Sequence, residues 1–521
     1  MTRVTRAFVF VFCASTIIDV ATDTPWENGH WLGPFFQLIP ATQLTSACCA
    51  AALVALTWCL LLAPVAQPDN PLERNTIGTR ALSIVPAIPM AFAFFWTRVF
   101  VNPYFALPWN TMVVAAPLLL AISAIRRWPP VWMVGNVLFT GIVLRLVHFD
   151  RFSIESGADM LPLTRHAIIN FLAGRPPYAY YDLPPPVPLT YYPLTWLAFV
   201  PAELIHIDLR WTNLAAEIGV LWALIVAGRA PGVKRPMLSK GSSAMALTAW
   251  SFHFLLPSSI YFDRITTAPV GWALLSWSIA LSALDSRYDW TVLGLAAAGT
   301  PLAAIVAPFV FVRWWQRRSL RAAVIRTSRA ALVSIAILGP FIIWSPRGFL
   351  DGAVLWFNDL SRYPGMTWRA YQPWQRYIGF GGLFWSAGLE RWLSPIQWLL
   401  IGAIVVLFIL RKAQAVLLPS HAAAAFVAFM AFNSVHWPYF FEPAIFSALL
   451  AIALAESIGS DEKRVDGGRF MGASRPRGSS APTRRSARSE TRVWEATLGR
   501  IRGQRLATAP STHCGPLRTR A

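Results

Sequence analysis

Asp159 lies in a polar stretch between two apolar runs, "SGADMLPLTRHAIINFLAGRPPYAYYD" at 156–182. A carboxylate held at such a boundary can take the proton from an attacking hydroxyl as a new bond forms. It could instead cap a helix or pair with Arg165. Asp150, beside Arg151, is the rival carboxylate and reads as an interface anchor or a partner of Arg151. Asp182 follows "YAYY" and could orient an acceptor. Tyr178, Tyr181 and Tyr192 offer rings and hydroxyls that could line a sugar site, and tyrosines are also ordinary at a membrane interface.

A second stretch, 347–392, interleaves Trp, Tyr and Arg with scattered acids. Aromatic faces with polar partners suit a sugar, and arginines suit a phosphate. Arg369 and Arg376 are candidates for holding an anionic leaving group, or for surface pairing with Asp359 or Glu390. His436, next to Trp437 and near Tyr439 and Glu442, could contact phosphate or sugar, or serve as an interfacial histidine. An amphipathic helix lying flat on a leaflet is the alternative reading of the stretch. Arg264, in "YFDRI", maps to the opposite side unless that segment is re-entrant.

The element that must position Asp159 is a short helix. Leu163, Ala167, Ile168 and Phe171 fall on one helical face, and Arg165, His166 and Asn170 on another. Pro162 fits the first turn, and "GRPP" at 174–177 ends the helix.

Around these stretches the chain is apolar. Of its 521 residues, 55% are hydrophobic and only 13% charged, where a soluble domain has about 25% charged. Mean hydropathy is +0.48. Apolar runs recur at 7–21, 43–65, 81–99, 108–125, 131–147, 188–207, 211–228, 242–258, 266–284, 290–312, 330–346, 394–410, 415–433 and 438–456. Many approach the ~20 residues that cross a bilayer, and a spanning backbone must satisfy its own hydrogen bonds. An all-α polytopic membrane protein follows, with about 11–14 crossings and two large outer loops, 148–187 and 347–392. Both termini map to the cytoplasm of a multi-pass cell-membrane protein, because Arg3, Arg6, "RRWPP", 313–329 and Arg411-Lys412 share that side. The basic loop 229–240 breaks the pattern, since the map puts it outside. The suspect region is 188–228.

The net charge of +20 is concentrated at the end of the chain. Residues 462–521 hold 14 Lys/Arg against four acids. This Ser-, Pro- and Arg-rich tail, 457–521, reads as disordered and drawn to anionic lipid. No folded recognition module accompanies it, so a nucleic-acid partner is not expected. The first 21 residues have signal-peptide features but read better as an uncleaved first span. Cys13, Cys48, Cys49, Cys59 and Cys514 lack zinc-ligand spacing. No metal or cofactor is expected, since the outer carboxylates do not pair as a cation site requires.

In order, Asp159, Gly174, Pro177-Tyr178 and Tyr192-Pro193-Leu194 resemble the outer loop of polyprenol-phosphate-mannose-dependent mannosyltransferases of bacterial envelopes, integral-membrane enzymes of GT-C architecture. Segments 261–284, 294–318 and 436–451 look like that family's middle region and last span. The resemblance covers about residues 135–456. Pro162 and Leu163 stand where the family usually has an aromatic residue. Tyr261-Phe262-Asp263 replace a Gly-Gln pair, and no Lys occurs at Gly299-Thr300-Pro301. Residues 1–130 are additional helices and 131–456 the GT-C-like region. The resemblance implies inverting transfer of a mannosyl group from a polyprenyl-phosphate sugar to a glycolipid or glycan acceptor. In it, Asp159 is the base, and Tyr178, Tyr181, Asp182, Tyr192, Arg369, Arg376 and His436 bind substrate. Transfer of another lipid-linked sugar, arabinosyl or glucosyl, is physically equivalent. A transporter or lipid flippase is the rival class. It would bury charge mid-helix, and Glu217 is the clearest residue of that kind, with no partner traceable in the sequence.

Overall fold

The computed structural model describes residues 3–22, 43–62, 122, 130–155, 160–183, 187–229, 244–356, 378–433 and 438–455. All lie in the first of two units, Met1–Arg464, and the basic tail lies outside the described residues. So do the runs at 81–99 and most of 108–125.

The described chain is helical apart from one two-residue strand pair. The first helices are α1 (Arg3–Thr22), α2 (Gln43–Leu61), α3 (Pro130–Arg151) and α4 (Met160–Leu172). Strands β1 (Tyr180–Tyr181) and β2 (Val187–Pro188) follow, then α5 (Pro193–Leu197), α6 (Val200–Leu204) and α7 (Arg210–Ala227). Next come α8 (Ala244–Phe254), α9 (Pro257–Ile265), α10 (Ala268–Ala283), α11 (Asp289–Gly299) and α12 (Ala303–Arg317). Helices α13 (Leu320–Trp344), α14 (Pro346–Phe349), α15 (Gly381–Ser386), α16 (Leu393–Leu410), α17 (Leu418–Ala431) and α18 (Pro438–Ala455) complete it.

Among the described residues five helices are long and apolar enough to cross a membrane, or six if the bent pair α9–α10 is one span. Helix α18 is the inner one, with 89% of its apolar window buried, against 17% for α13. The outward faces of α13 and α16 remain greasy: Ile343 is 83% exposed and Leu399 72%. Apolar surface this continuous needs an apolar neighbour, which a bilayer supplies.

Two expected spans are corrected. The run 188–207 is not a span. Pro193 and Pro201 each restart a short helix, and Trp196 and Phe199 pack with Leu163, Ile168 and Tyr178 in a separate apolar cluster. Its hydrophobicity builds the floor of a loop domain. The run 290–312 is two helices, because Thr300 is extended and Pro301 has no N–H to continue α11. The halves are antiparallel: Trp314 Nε1 in α12 donates to the Asp289 carboxylate that opens α11, at 2.6 Å.

The first correction also bears on Arg229, the first residue of the basic loop. Arg313 donates to the carbonyls of Ser282, Ala283 and Ala413, and Asp285 pairs with Arg317 and Arg318 at 3.0 and 3.2 Å. Arg411 bonds the Leu61 carbonyl, and Arg6 that of Cys59. These contacts gather one basic end. Helix α7 runs parallel to α10: Asn213 meets the Thr266 carbonyl at its start, and Gly219 faces Ala273 further along. Arg229, at the end of α7, therefore joins the basic end instead of the opposite one. Topology can be read by labelling. With native cysteines replaced, Arg229→Cys and Lys412→Cys should react with a membrane-impermeant maleimide from one side, and Arg175→Cys from the other. Labelling of Arg229→Cys together with Arg175→Cys would refute the arrangement.

Candidate functional site

The expected helix after Asp159 forms as α4, with Leu163, Ala167 and Ile168 buried and Arg165 and His166 exposed. Gly174, at φ +70, ends it where only glycine turns without strain. Asp159, Arg369, Arg376 and His436 lie outside the described residues. Asp159 directly precedes the first residue of α4.

The polar loop and the start of the second aromatic stretch meet at the non-basic end. Ser345 Oγ donates to the Tyr178 carbonyl at 3.2 Å. Gly348 and Gly352 let α14 and the turn after it lie directly on this loop. A Cβ at Gly348 would stand 2.1 Å from the Tyr178 carbonyl, and one at Gly352 2.3 Å from that of Leu189.

Tyr178 and Tyr181 are part of the packing there. Tyr178 is 2% exposed, stacks edge-on against Phe349 and donates its hydroxyl to the Tyr191 carbonyl at 2.8 Å. Tyr181 donates to the Pro177 carbonyl and accepts from Asn170. Both hydroxyls hold the loop together. Tyr192 is half-buried beside Phe349, and Asp182 is exposed.

A second constellation lies at the same end, and sequence reading did not assemble it. Arg145 and Asp263, fully buried and 118 residues apart, form an ion pair. The same guanidinium donates to Ser259 Oγ at 3.0 Å and to the Phe254 carbonyl at 3.1 Å, and lies over the Phe254 ring. Asn213 donates to the carbonyls of Asp263 and Thr266 at 2.8 and 2.6 Å. These flank the break between α9 and α10, whose axes differ by 111°. Buried carbonyls released by a helix break need such donors. Arg210 gives the same service to α3, donating to the carbonyls of Phe149 and Phe152, both at 2.7 Å.

His253 Nε2 is 2.7 Å from Glu442, and its Nδ1 is 3.1 Å from Ser15 Oγ. Glu217, 1% exposed, adds a third buried carboxylate, and it interacts electrostatically with Asp263, Arg145 and Glu442. The Ser–His–acid order resembles a nucleophilic triad, but Ser15 is wholly buried inside α1, and it serves here as a hydrogen-bond partner of His253. The signal available in the sequence was the lone charge inside each apolar run.

The bent pair also moves Arg264. Its guanidinium lies 4.1 Å from the Phe152 ring centroid and 4.9 Å from that of Tyr261. The Tyr439 hydroxyl reaches Met160 Sδ at 3.7 Å. Segments distant in sequence thus converge: Phe152 and Met160, 253–266 and 438–442.

Two outcomes follow. Arg145→Met strands the Asp263 carboxylate in the interior and should cost about 3–5 kcal/mol, read as a lowered unfolding temperature in detergent. An unchanged transition would mean that the pair does not brace the bend. Burial pushes the Tyr181 hydroxyl up to about 12 from 10.0, so the fold favours the neutral form. Its contribution to stability is complete below the ordinary value and is lost as pH rises toward the folded one. Tyrosinate absorbance should therefore include a late-ionising tyrosine that Tyr181→Phe removes, whereas uniform ionisation at the ordinary value would contradict the burial.

Compared with known proteins, the chain matches no family model, and no curated protein or solved structure matches it.

Proposed function

We propose that the protein is a membrane glycosyltransferase that moves a mannosyl or other hexosyl group from a polyprenyl-phosphate sugar to an envelope glycolipid or glycan hydroxyl. The observation that carries the reading is the meeting of three segments at the end opposite the basic one. Met160, next to Asp159, touches Tyr439 of "HWPYFFEP", and Arg264 of "YFDRI" stacks on Phe152 just ahead of Asp159. The sequence resemblance names the outer loop from Asp159 and the segments 261–284, 294–318 and 436–451, and these contacts join residues of the loop, the first and the last of them.

In this reading Asp159 removes the acceptor proton as the acceptor oxygen attacks the anomeric carbon. The polyprenyl phosphate leaves from the opposite face, and the configuration inverts. Phosphate is already a good leaving group, so the protein's task is to hold its charge. Arg369, Arg376 and His436 take that role, with Arg264 adding positive field from beneath its aromatic neighbours. Tyr192 and Asp182 remain placed to meet the sugar or acceptor. Tyr178 and Tyr181 contribute by shaping the loop. The chain crosses the membrane about 11–14 times, both termini are cytoplasmic, and the loop-bearing end faces outward.

A second reading, a proton-coupled transporter or flippase, draws support from the buried Glu217, Asp263 and Glu442. The discriminating assay supplies membranes holding the protein with polyprenyl-phosphate-linked radiolabelled mannose and a crude envelope glycolipid fraction. Label should move to the acceptor, and Asp159→Asn at equal abundance should lower the rate by at least about a hundredfold. Transfer that survives Asp159→Asn would move the base to Asp150 or Asp182. No transfer from mannosyl, glucosyl or arabinosyl donors would overturn the enzyme reading and favour transport.

A further inference from the structure

Helix α13 is the least enclosed of the long apolar helices among the described residues, with 17% of its apolar window buried. It packs inward through Ala323, Ala330, Ser334 and Phe341. Residues at helical spacing on the opposite face stay exposed: Arg321, Ile325, Ser328, Leu332 and Ile335. Arg329, at the side of this stripe, is exposed as well. The stripe changes character along its length. Its start, at the basic end, carries two arginines and a serine. From Leu332 onward it is greasy, with Leu332 64% and Ile335 60% exposed.

The acids around these arginines are already engaged. Asp285 pairs with Arg317 and Arg318. Asp289 accepts from Arg326, from the Trp314 indole and from the Trp290 amide. Among the described residues Arg329 meets a ring and no acid, its guanidinium 5.8 Å from the Trp290 centroid. Arg321 has no partner among them. Two cations at the head of an apolar track are therefore left without an anion. They stand eight residues apart, roughly 12 Å along the helix. Long arginine side chains on one side of a helix can close that gap around a phosphate. Trp290 beside Arg329 suits the level of lipid headgroups, where indole rings collect.

A free phosphate ion would use the arginines alone, whereas a phospholipid uses the whole stripe. We propose that this face of α13 binds an anionic phospholipid of the leaflet at the basic end. Arg321 and Arg329 hold its phosphate, and its acyl chains lie along Leu332 and Ile335. The bound lipid fixes the depth of α13, which leads directly into α14, where Gly348 lies against the polar loop. Such a site needs α13 in a bilayer but no glycosyl transfer, so it stands or falls apart from that reading.

The test places a bimane fluorophore at Leu332→Cys in the full-length protein, with native cysteines replaced, in vesicles of phosphatidylcholine holding a minority of phosphatidylglycerol. Brominated acyl chains, which quench on contact, are carried by one lipid or the other. Per molecule, brominated phosphatidylglycerol should quench at least about fivefold more than brominated phosphatidylcholine, the preference that one arginine near an anionic leaflet confers. A fluorophore at Leu399→Cys on α16 should be quenched equally by both. Arg321→Gln with Arg329→Gln should remove the preference at 332 while quenching by phosphatidylcholine is retained. Equal quenching at 332 by the two lipids, with both arginines present, would overturn the proposal. So would a preference of the same size at 399, or one at 332 that survives the double substitution, since the basic tail would then be gathering the lipid. If the double substitution does not fold, the comparison of 332 with 399 decides.

Discussion

A helix break in an apolar interior strips backbone carbonyls of their partners, and water cannot replace them. The 111° turn between α9 and α10 is such a break, and much of the surrounding polarity answers it. Asn213 reaches across from α7 to both exposed carbonyls. Arg145 reaches from α3 and neutralises Asp263 beside them. Each partner arrives on a different helix, so the bend can exist only when those helices are assembled around it. The same assembly turns Arg264 toward Phe152, just past the end of α3.

The loop domain rests on a different constraint. Its residues are apolar enough to resemble a crossing, yet prolines at 193 and 201 prevent one long helix. Trp196, Phe199 and Tyr178 close instead over α4 and against Phe341 and Phe349. Two glycines one helical turn apart, Gly348 and Gly352, remove the side chains that would hold the second aromatic stretch away. The result is a packed cap at one end of the helices, with basic residues gathered at the other. That polarity is what a membrane enzyme acting at one surface requires, and a transporter can share it.

Much of the local structure was legible in the sequence. The spacing of Leu163, Ala167 and Ile168 against Arg165 and His166 gives α4, because helical periodicity depends only on neighbours. Gly174 marks its end for an equally local reason. The all-helical class and the outlying loops follow from long apolar runs separated by polar, aromatic segments. Apolar runs do not reveal whether they cross, fold back or pack on one another. For that reason 188–207 and 290–312 were misread, and Arg229 was placed at the wrong end.

The candidate site was legible only in fragments. Glu217 stands out as a charge inside an apolar run, and Asp159 as an acid in a polar stretch between two such runs. Which charges meet was settled by tertiary structure. Arg145 and Asp263 are 118 residues apart, and Ser15 and His253 are 238 apart. Periodicity and spacing carry no information over such separations. The sequence by itself determined a helical protein with apolar helices long enough to cross a membrane, a polar loop and isolated charges within apolar runs. The tertiary structure decided which buried charges meet, Arg145 with Asp263 and His253 with Glu442, because a charge in an apolar interior persists only where the fold brings it a partner.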